Sequence, residues 1–414
     1  MTEDDHGRRL DRVIRKGFPL VPPGRIAGAV RRGEITVNGR RASQNTRVQR
    51  GDTVAVPDWD RSGYEDRRKD RPAPRGERPD YESRRGDRPP PRSVHRGSEN
   101  RRGDRSTPRG ERSGRESRRG ERPPPRTERP PALVDGEIRM GRWRIPVLDR
   151  TPDWLALNKP AGLASHGPGA LDEAVRAVAN QESWWRESVS FRPGPIHRLD
   201  KETSGVQLFS LSAAGARSLT EQLRTRSVYK LYLAVVAGAM DRTMRIDRRL
   251  AYDRTRRLAI AEHDTGGAGS LRFVTAATTV HPIAITANGR YSLVAARPET
   301  GRTHQIRCHL ASESLPLIGD EKYGAPPWRS VQLARREAFL DNPRYGEDRS
   351  RQFILHALCL ATETPHALWN APLPPPVYRL IREFFGDPAA AQRRLAETVA
   401  ATCTACRGVD TIAL

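Results

Sequence analysis

Three polar segments of this 414-residue chain combine residue types and spacings suited to chemistry. The first is the loop Gly194-Pro195-Ile196-His197-Arg198-Leu199-Asp200-Lys201-Glu202-Thr203-Ser204-Gly205, set just before an apolar run. A strand there would hold a reactive loop rigidly. Its carboxylate, Asp200, can act as a nucleophile or a base, or it can simply accept hydrogen bonds in a turn through Thr203 and Ser204. The second segment is Arg297-Pro298-Glu299-Thr300-Gly301-Arg302-Thr303-His304-Gln305-Ile306-Arg307-Cys308-His309-Leu310. Arg302 and Arg307 offer planar guanidinium groups that match either a phosphate or a carboxylate such as Asp200. His304, Cys308 and His309 raise a metal reading, which the spacing disfavours because adjacent positions do not share a helix face. The third segment is Val228-Tyr229-Lys230-Leu231-Tyr232-Leu233, where a period of two puts Lys230 and Tyr232 on one strand face. Facing a cleft, they present an ammonium and an aromatic ring to a flipped base; facing inward, the tyrosine is ordinary core.

These segments need a scaffold. Apolar runs at 154–157, 206–209, 231–236 and 291–296 predict strands, and the patterns at 171–179, 213–224 and 377–385 predict helices. The second polar segment follows one of these strands and is expected to open a helix. Strands and helices are interspersed without a regular alternation of strand and crossover helix. That argues against a doubly wound sheet and for an α+β fold with a mixed or antiparallel sheet and helices packed around it. This region spans 143–385, and 386–414 reads as a short helix and a loose end. Cys403 and Cys406 in that tail are assigned no role. A separate small unit occupies 7–57: Leu10, Val13, Ile14, Ile26 and Val30 have helical spacing, and Ile35-Thr36-Val37 leads into the turn dipeptide Asn38-Gly39. From composition alone it can be a structural cap or a binding unit.

Between the two units, 58–135 reads as a linker. Arg-Gly-(Glu/Asp)-Arg recurs there from Arg75, Arg85, Arg102, Arg109 and Arg119, and few apolar residues are present to offset ordering entropy. Disorder is expected, with the stretch acting as a spacer, as an arginine tether for RNA phosphates, or as both. The whole chain carries a formal charge of +23, which favours a polyanionic partner. No apolar run approaches the ~18 residues of a membrane span, and the chain opens on acids rather than an apolar leader. Four cysteines are too few for a disulfide framework in a chain of this length. A reducing, cytoplasmic setting is expected, with neither a membrane nor an obligate protein partner.

The three segments, in this order, resemble the pseudouridine synthases that modify large-subunit ribosomal RNA and, in some members, transfer RNA. Asn158-Lys159-Pro160-Ala161-Gly162-Leu163, Leu317-Ile318-Gly319-Asp320-Glu321-Lys322-Tyr323-Gly324, Leu355-His356-Ala357 and Ala371-Pro372-Leu373-Pro374 extend the resemblance over about 143–385. It implies a mixed, largely antiparallel sheet in two halves with a central cleft, and a reaction that uses no cofactor and no metal. It further implies that Asp200 is the catalytic aspartate, that Tyr232 stacks on the base and assists loss of the C5 proton, and that Arg307 pairs with Asp200. Arg198, Lys201, Lys230 and Arg302 are then expected to contact RNA. Gly33-Glu34-Ile35-Thr36-Val37-Asn38-Gly39-Arg40 resembles the RNA-binding module of small-subunit ribosomal protein four, with Arg31, Arg32, Arg40 and Arg41 as its expected RNA contacts. Two features depart from the pattern: Ser314 stands where the family usually has glycine, and the arginine-rich linker is unusually long. The rival reading is a non-catalytic RNA-binding or ribosome-assembly protein, which needs the charge but not Asp200, Tyr232 and Arg307 together.

Overall fold

The computed structural model describes residues 1–59, 129–185, 188–262, 271–326, 353–364, 366–386 and 388–403. The expected disorder of the arginine-rich stretch at 60–128 lies outside the described residues, as does Cys406.

The amino-terminal unit is built on two short helices, α1 (Leu10–Gly17) and α2 (Pro23–Arg32). Leu10, Val13, Ile14, Ile26 and Ala29 face one another and enclose a core with Ile35, Val48 and Trp59. Helix α2 starts on Pro23, where a missing N–H loses nothing, and ends on Gly33 at φ 77°, a left-handed cap. Strands β1 (Thr36–Val37), β2 (Arg40–Arg41) and β3 (Val54–Ala55) form a small antiparallel sheet in the order β2-β1-β3. Asn38 and Gly39, both at positive φ, turn β1 into β2 as the dipeptide requires.

The larger region opens with four strands, β4 (Ala132–Val134), β5 (Glu137–Met140), β6 (Trp143–Arg150) and β7 (Trp154–Lys159). There follow α3 (Leu171–Gln181), β8 (Gly194–Pro195), β9 (Ser204–Ser210), α4 (Ala213–Thr225) and β10 (Val228–Ala237). After β11 (Met244–Asp247) and the hairpin β12 (Leu250–Asp253) and β13 (Leu258–Ala261) come β14 (Ala277–Ile285), β15 (Tyr291–Pro298) and α5 (Gln305–Ser312). The chain ends with β16 (Leu355–Glu363), β17 (His366–Asn370), α6 (Pro375–Phe385) and α7 (Pro388–Thr402).

Twelve of these strands make one sheet in the order β11-β14-β15-β10-β16-β9-β7-β6-β5-β4, with β17 on β16 and β8 on β9. Its pairings are antiparallel except between β16 and β9, which run parallel and share only His356↔Ser204 and Ala357↔Gly205. That short contact is the seam between two halves, each with its own core. Leu231, Leu233, Leu293 and Leu358 pack with α6 and α7 on one side, and Leu155, Leu157 and Phe209 pack with Val175 of α3 on the other. The α+β class and the two-halved, largely antiparallel sheet agree with the sequence reading.

The start of the large region and the separateness of the small unit differ from it. Strands β4 and β5 lie before 143, and β4 falls within the stretch read as linker; Leu133 and Ile138 supply just enough apolar surface to join the core beside α3. The helix expected in the tail is α7, where Ala391, Leu395 and Val399 recur every four residues and bury one face in the same core as Leu380, and 404–414 lies outside the described residues. The small unit does not stand apart from the large region. Its first turn buries Asp5 completely, with Oδ1 accepting hydrogen bonds from Ser188 Oγ and Ser190 N, each at 3.0 Å. Asp4 Oδ1 accepts the Ala213 N–H at 2.8 Å, at the start of α4. Among the described residues, no helix is long and apolar enough to cross a membrane.

Candidate active site

The loop bearing Asp200 runs from β8 into β9 and is fastened from both sides. The Ser165 hydroxyl lies 2.9 Å from the Leu199 carbonyl and accepts the Leu199 N–H at 3.2 Å. Lys159 has no exposed surface, and its Nζ donates to the carbonyls of Pro160, Leu163 and Lys201 at 3.0, 2.8 and 3.1 Å. Burial pushes the Lys159 pKa down to about 7, while three carbonyl acceptors match the three protons of the charged form. On the far side, His197 Nε2 accepts the Leu208 N–H at 3.1 Å. Burial, aided by the charge of Lys230, pushes its pKa down to about 3, so the ring is neutral.

The Asp200 side chain is not consumed by its own turn. Thr203 N–H bonds to the backbone carbonyl of Asp200 at 3.1 Å, and the Ser204 hydroxyl turns away to His356 Nδ1 at 2.9 Å. Asp200 Oδ2 instead faces Arg307 Nη1 at 3.3 Å and His304 Nε2 at 3.8 Å. Sheet register brings Tyr232 to the same place, because Tyr232 and Gly205 are both registered against Ala357 of β16. A bulge between Leu231 and Tyr232 adjusts the strand there. Burial, then the negative charge of Asp200, raises the Tyr232 pKa, so its phenol stays protonated. Lys230, on the same face as the period of two requires, has its pKa lowered by burial. Asp200, Tyr232, Lys230, Arg302, His304 and Arg307 line one cleft of about 800 Å³.

Arg307 is 3% exposed on α5, and its main partner is one that the sequence reading did not pair with it. Its Nε and Nη2 donate to Asp320 at 2.7 and 2.9 Å, shorter than its reach to Asp200. The guanidinium lies 4.9 Å from the ring of Tyr323 and 4.4 Å from that of Phe353. Burial works against the Arg307 charge, but the hydrogen bonds and charge of Asp320 outweigh it and raise the pKa. The pairing with Asp200 is therefore the third arm of a group already fixed by two. Asp320, His304 and Tyr323 were missed as site residues. An acid directly after the apolar run Leu317-Ile318-Gly319 was the available signal for Asp320.

Of the residues expected on RNA, Arg198, Lys201, Lys230 and Arg302 line the cleft. Arg31, Arg32, Arg40 and Arg41 are exposed on the amino-terminal unit and do not line the cleft, and Arg32 forms an ion pair with Glu34 at 2.6 Å. The candidate metal trio does not converge. His309 uses Nδ1 on Thr278 Oγ1 at 2.8 Å and Nε2 on the Arg248 carbonyl at 3.1 Å, whereas His304 Nδ1 faces the Tyr323 hydroxyl at 3.0 Å.

Residues 153–312 match the family described as RNA pseudouridylate synthase. The tRNA pseudouridine synthase C of Haemophilus ducreyi is 36% identical over 184 residues, which cover 43% of this chain and 73% of that protein. The ribosomal large subunit pseudouridine synthase D of Yersinia pestis is 31% identical over 265 residues, covering 62% of this chain and 76% of that one. Among solved structures, the human RNA pseudouridylate synthase domain containing 4 aligns at a TM-score of 0.43 and 24% identity, over 60% of this chain and 92% of that one.

Proposed function

Because this chain belongs to the RNA pseudouridine synthase family, whose reaction isomerises uridine in RNA, we propose that Asp200, Tyr232 and Arg307 carry out that reaction here on ribosomal RNA. The observation that carries the proposal is the Asp200 carboxylate, free of its own turn and facing Arg307 across the sheet seam. In the reaction the bond from ribose C1′ to uracil N1 breaks and a bond from C1′ to C5 forms. C5 loses its proton and N1 gains one, so the product is an isomer. Asp200 either attacks C1′ or removes the proton at C2′, and both routes start from the carboxylate. Arg307 opposes its charge. Tyr232 is disposed to stack on the uracil, since burial, and then the charge of Asp200, make ionising its phenol unfavourable. Stacking thus suits it better than direct proton abstraction.

Flipping the uridine out of a helix costs about a few kcal/mol, which phosphate contacts from Arg198, Lys201 and Arg302 would offset. The amino-terminal unit, with Arg31, Arg32, Arg40 and Arg41 exposed, is assigned to RNA binding beside the catalytic region. Ribosomal RNA is favoured over transfer RNA because the likeness to the ribosomal enzyme extends over more of this chain, 265 residues against 184. The test is to incubate wild-type protein and Asp200→Asn with ribosomal RNA fragments and with transfer RNA, and to map pseudouridine. Wild type should modify the ribosomal fragments, with the variant slower by at least about a hundredfold. A wild type no more active than Asp200→Asn, or one that modifies transfer RNA alone, would overturn the reading.

A further inference from the structure

His304 stands at the head of α5 with φ 54°, a left-handed conformation that non-glycine residues rarely adopt. Its ring is held edge-on by two tyrosines, with centroids 6.1 Å from Tyr252 and 5.8 Å from Tyr323. Among the described residues, the Tyr323 hydroxyl has two hydrogen-bond partners: it accepts the Ala259 N–H at 2.8 Å and lies 3.0 Å from His304 Nδ1. Since Ala259 is a donor, the phenolic proton is left for Nδ1. Burial disfavours the charged imidazolium, so the neutral ring carries its single proton on Nε2.

That Nε2 lies 3.8 Å from Asp200 Oδ2, too far for a direct hydrogen bond. An atom able both to accept and to donate, seated beside this pair within hydrogen-bond reach of each, would therefore link the donor to the acceptor. In a uridine within an RNA chain, uracil O2 and O4 only accept, N3–H only donates, and the 3′ and 5′ oxygens are esterified. Only the 2′-hydroxyl does both. It sits on C2′, next to C1′, the two carbons at which Asp200 acts by one route or the other. We propose that His304 and Asp200 bracket the 2′-hydroxyl of the target uridine, His304 donating to its oxygen and Asp200 accepting its proton, so that this pair selects ribose over deoxyribose at the reacting nucleotide. The inference rests on the assignment of Asp200 as the catalytic carboxylate.

Asparagine places an amide near the Nδ1 position of histidine, and glutamine near Nε2. His304→Asn thus keeps the link to Tyr323 and tolerates a left-handed backbone but removes the inner donor. His304→Gln keeps that donor. Single-turnover rates are compared on an RNA whose modified uridine has been mapped, and on the same RNA with 2′-deoxyuridine at that position. His304→Asn should slow the ribose substrate by about tenfold and the deoxy substrate by less than about twofold, while His304→Gln stays within about threefold of wild type on both. Where deoxy turnover falls below detection, competition binding of the two RNAs supplies the comparison, with wild type preferring ribose by about tenfold and His304→Asn showing no preference. Equal slowing or equal preference for both RNAs, no slowing by His304→Asn, or a larger loss in His304→Gln than in His304→Asn overturns the proposal. An active Asp200→Asn would remove the assignment of Asp200 itself. An inactive Asp200→Asn together with a His304→Asn that slows both RNAs equally would remove only the reading of the 2′-hydroxyl.

Discussion

Arg307 makes three side-chain hydrogen bonds to carboxylates, and two of them go to Asp320. Both partners of that pair are nearly inaccessible, at 4% and 2% side-chain exposure, so neither charge has water to fall back on. Asp320 therefore fixes the plane of the guanidinium, which leaves Nη1 directed at Asp200. Asp320→Asn should destabilise the protein by about 3 kcal/mol, because it leaves a buried guanidinium short of charge. It should also slow pseudouridine formation, as Arg307 is freed to close on Asp200. Urea denaturation and single-turnover assays check both expectations, and a variant unchanged in both would show that Asp320 does not hold Arg307. Ser314, the departure from the family's usual glycine, adopts φ 60°, so the backbone conformation that glycine favours is retained with a different side chain.

Strands β9 and β16 position the site with only two residue pairs, and the closeness of their approach depends on Gly205. At φ 110°, a Cβ on this residue would come within 2.2 Å of the Ala357 carbonyl oxygen and 2.6 Å of the Ala357 nitrogen, both of them backbone atoms that cannot move aside. Beside it the Ser204 hydroxyl donates to His356 Nδ1, and His356 Nε2 donates to the Ala371 carbonyl at 3.0 Å. Burial pushes the His356 pKa down to about 4, which keeps the ring neutral and this relay of donors in one sense. Gly205→Ala should cost about 3 kcal/mol or more through steric and backbone strain, and should abolish modification by parting Asp200 from Tyr232. A thermal midpoint equal to that of wild type would show that the strands can separate without loss.

The amino-terminal unit is locked to the catalytic region by a carboxylate that no solvent reaches. Burial alone would raise the pKa of Asp5, but hydrogen bonds from Ser190, Thr2 and Ser188 outweigh it and the net shift is downward. A depressed folded-state pKa means that the stabilising contribution is complete above the unfolded value of about 4 and is lost as pH falls through the folded value. Asp5→Asn should therefore be less stable than wild type by about 2 kcal/mol at pH 7, with the difference shrinking as the medium is acidified below about pH 4. Urea titrations at neutral and acid pH test this, and a difference independent of pH would exclude ionised Asp5 as the lock. On the proposal that the exposed arginines of the small unit contact RNA, Asp5→Asn should also weaken RNA binding at neutral pH, because the same joint holds that unit to the catalytic region.

Asp200, Tyr232 and Arg307 were named as candidates through the family resemblance of three separated segments, and the structure brings all three to one cleft. The strands and most helices were legible because their periodicity is local. The late boundary at 143 arose because β4 and β5 are too short to show a period. Which groups face each other was decided only by tertiary structure. Ser190 lies 185 positions from Asp5, and Asp200 lies 107 from Arg307. The tautomer of His304 follows from Ala259 and Tyr323, residues 64 positions apart, meeting at one hydroxyl. Local sequence specifies the elements and the chemical groups they carry, whereas the pairing of β16 with β9 joins two half-sheets and brings Asp200 to the groups that face it.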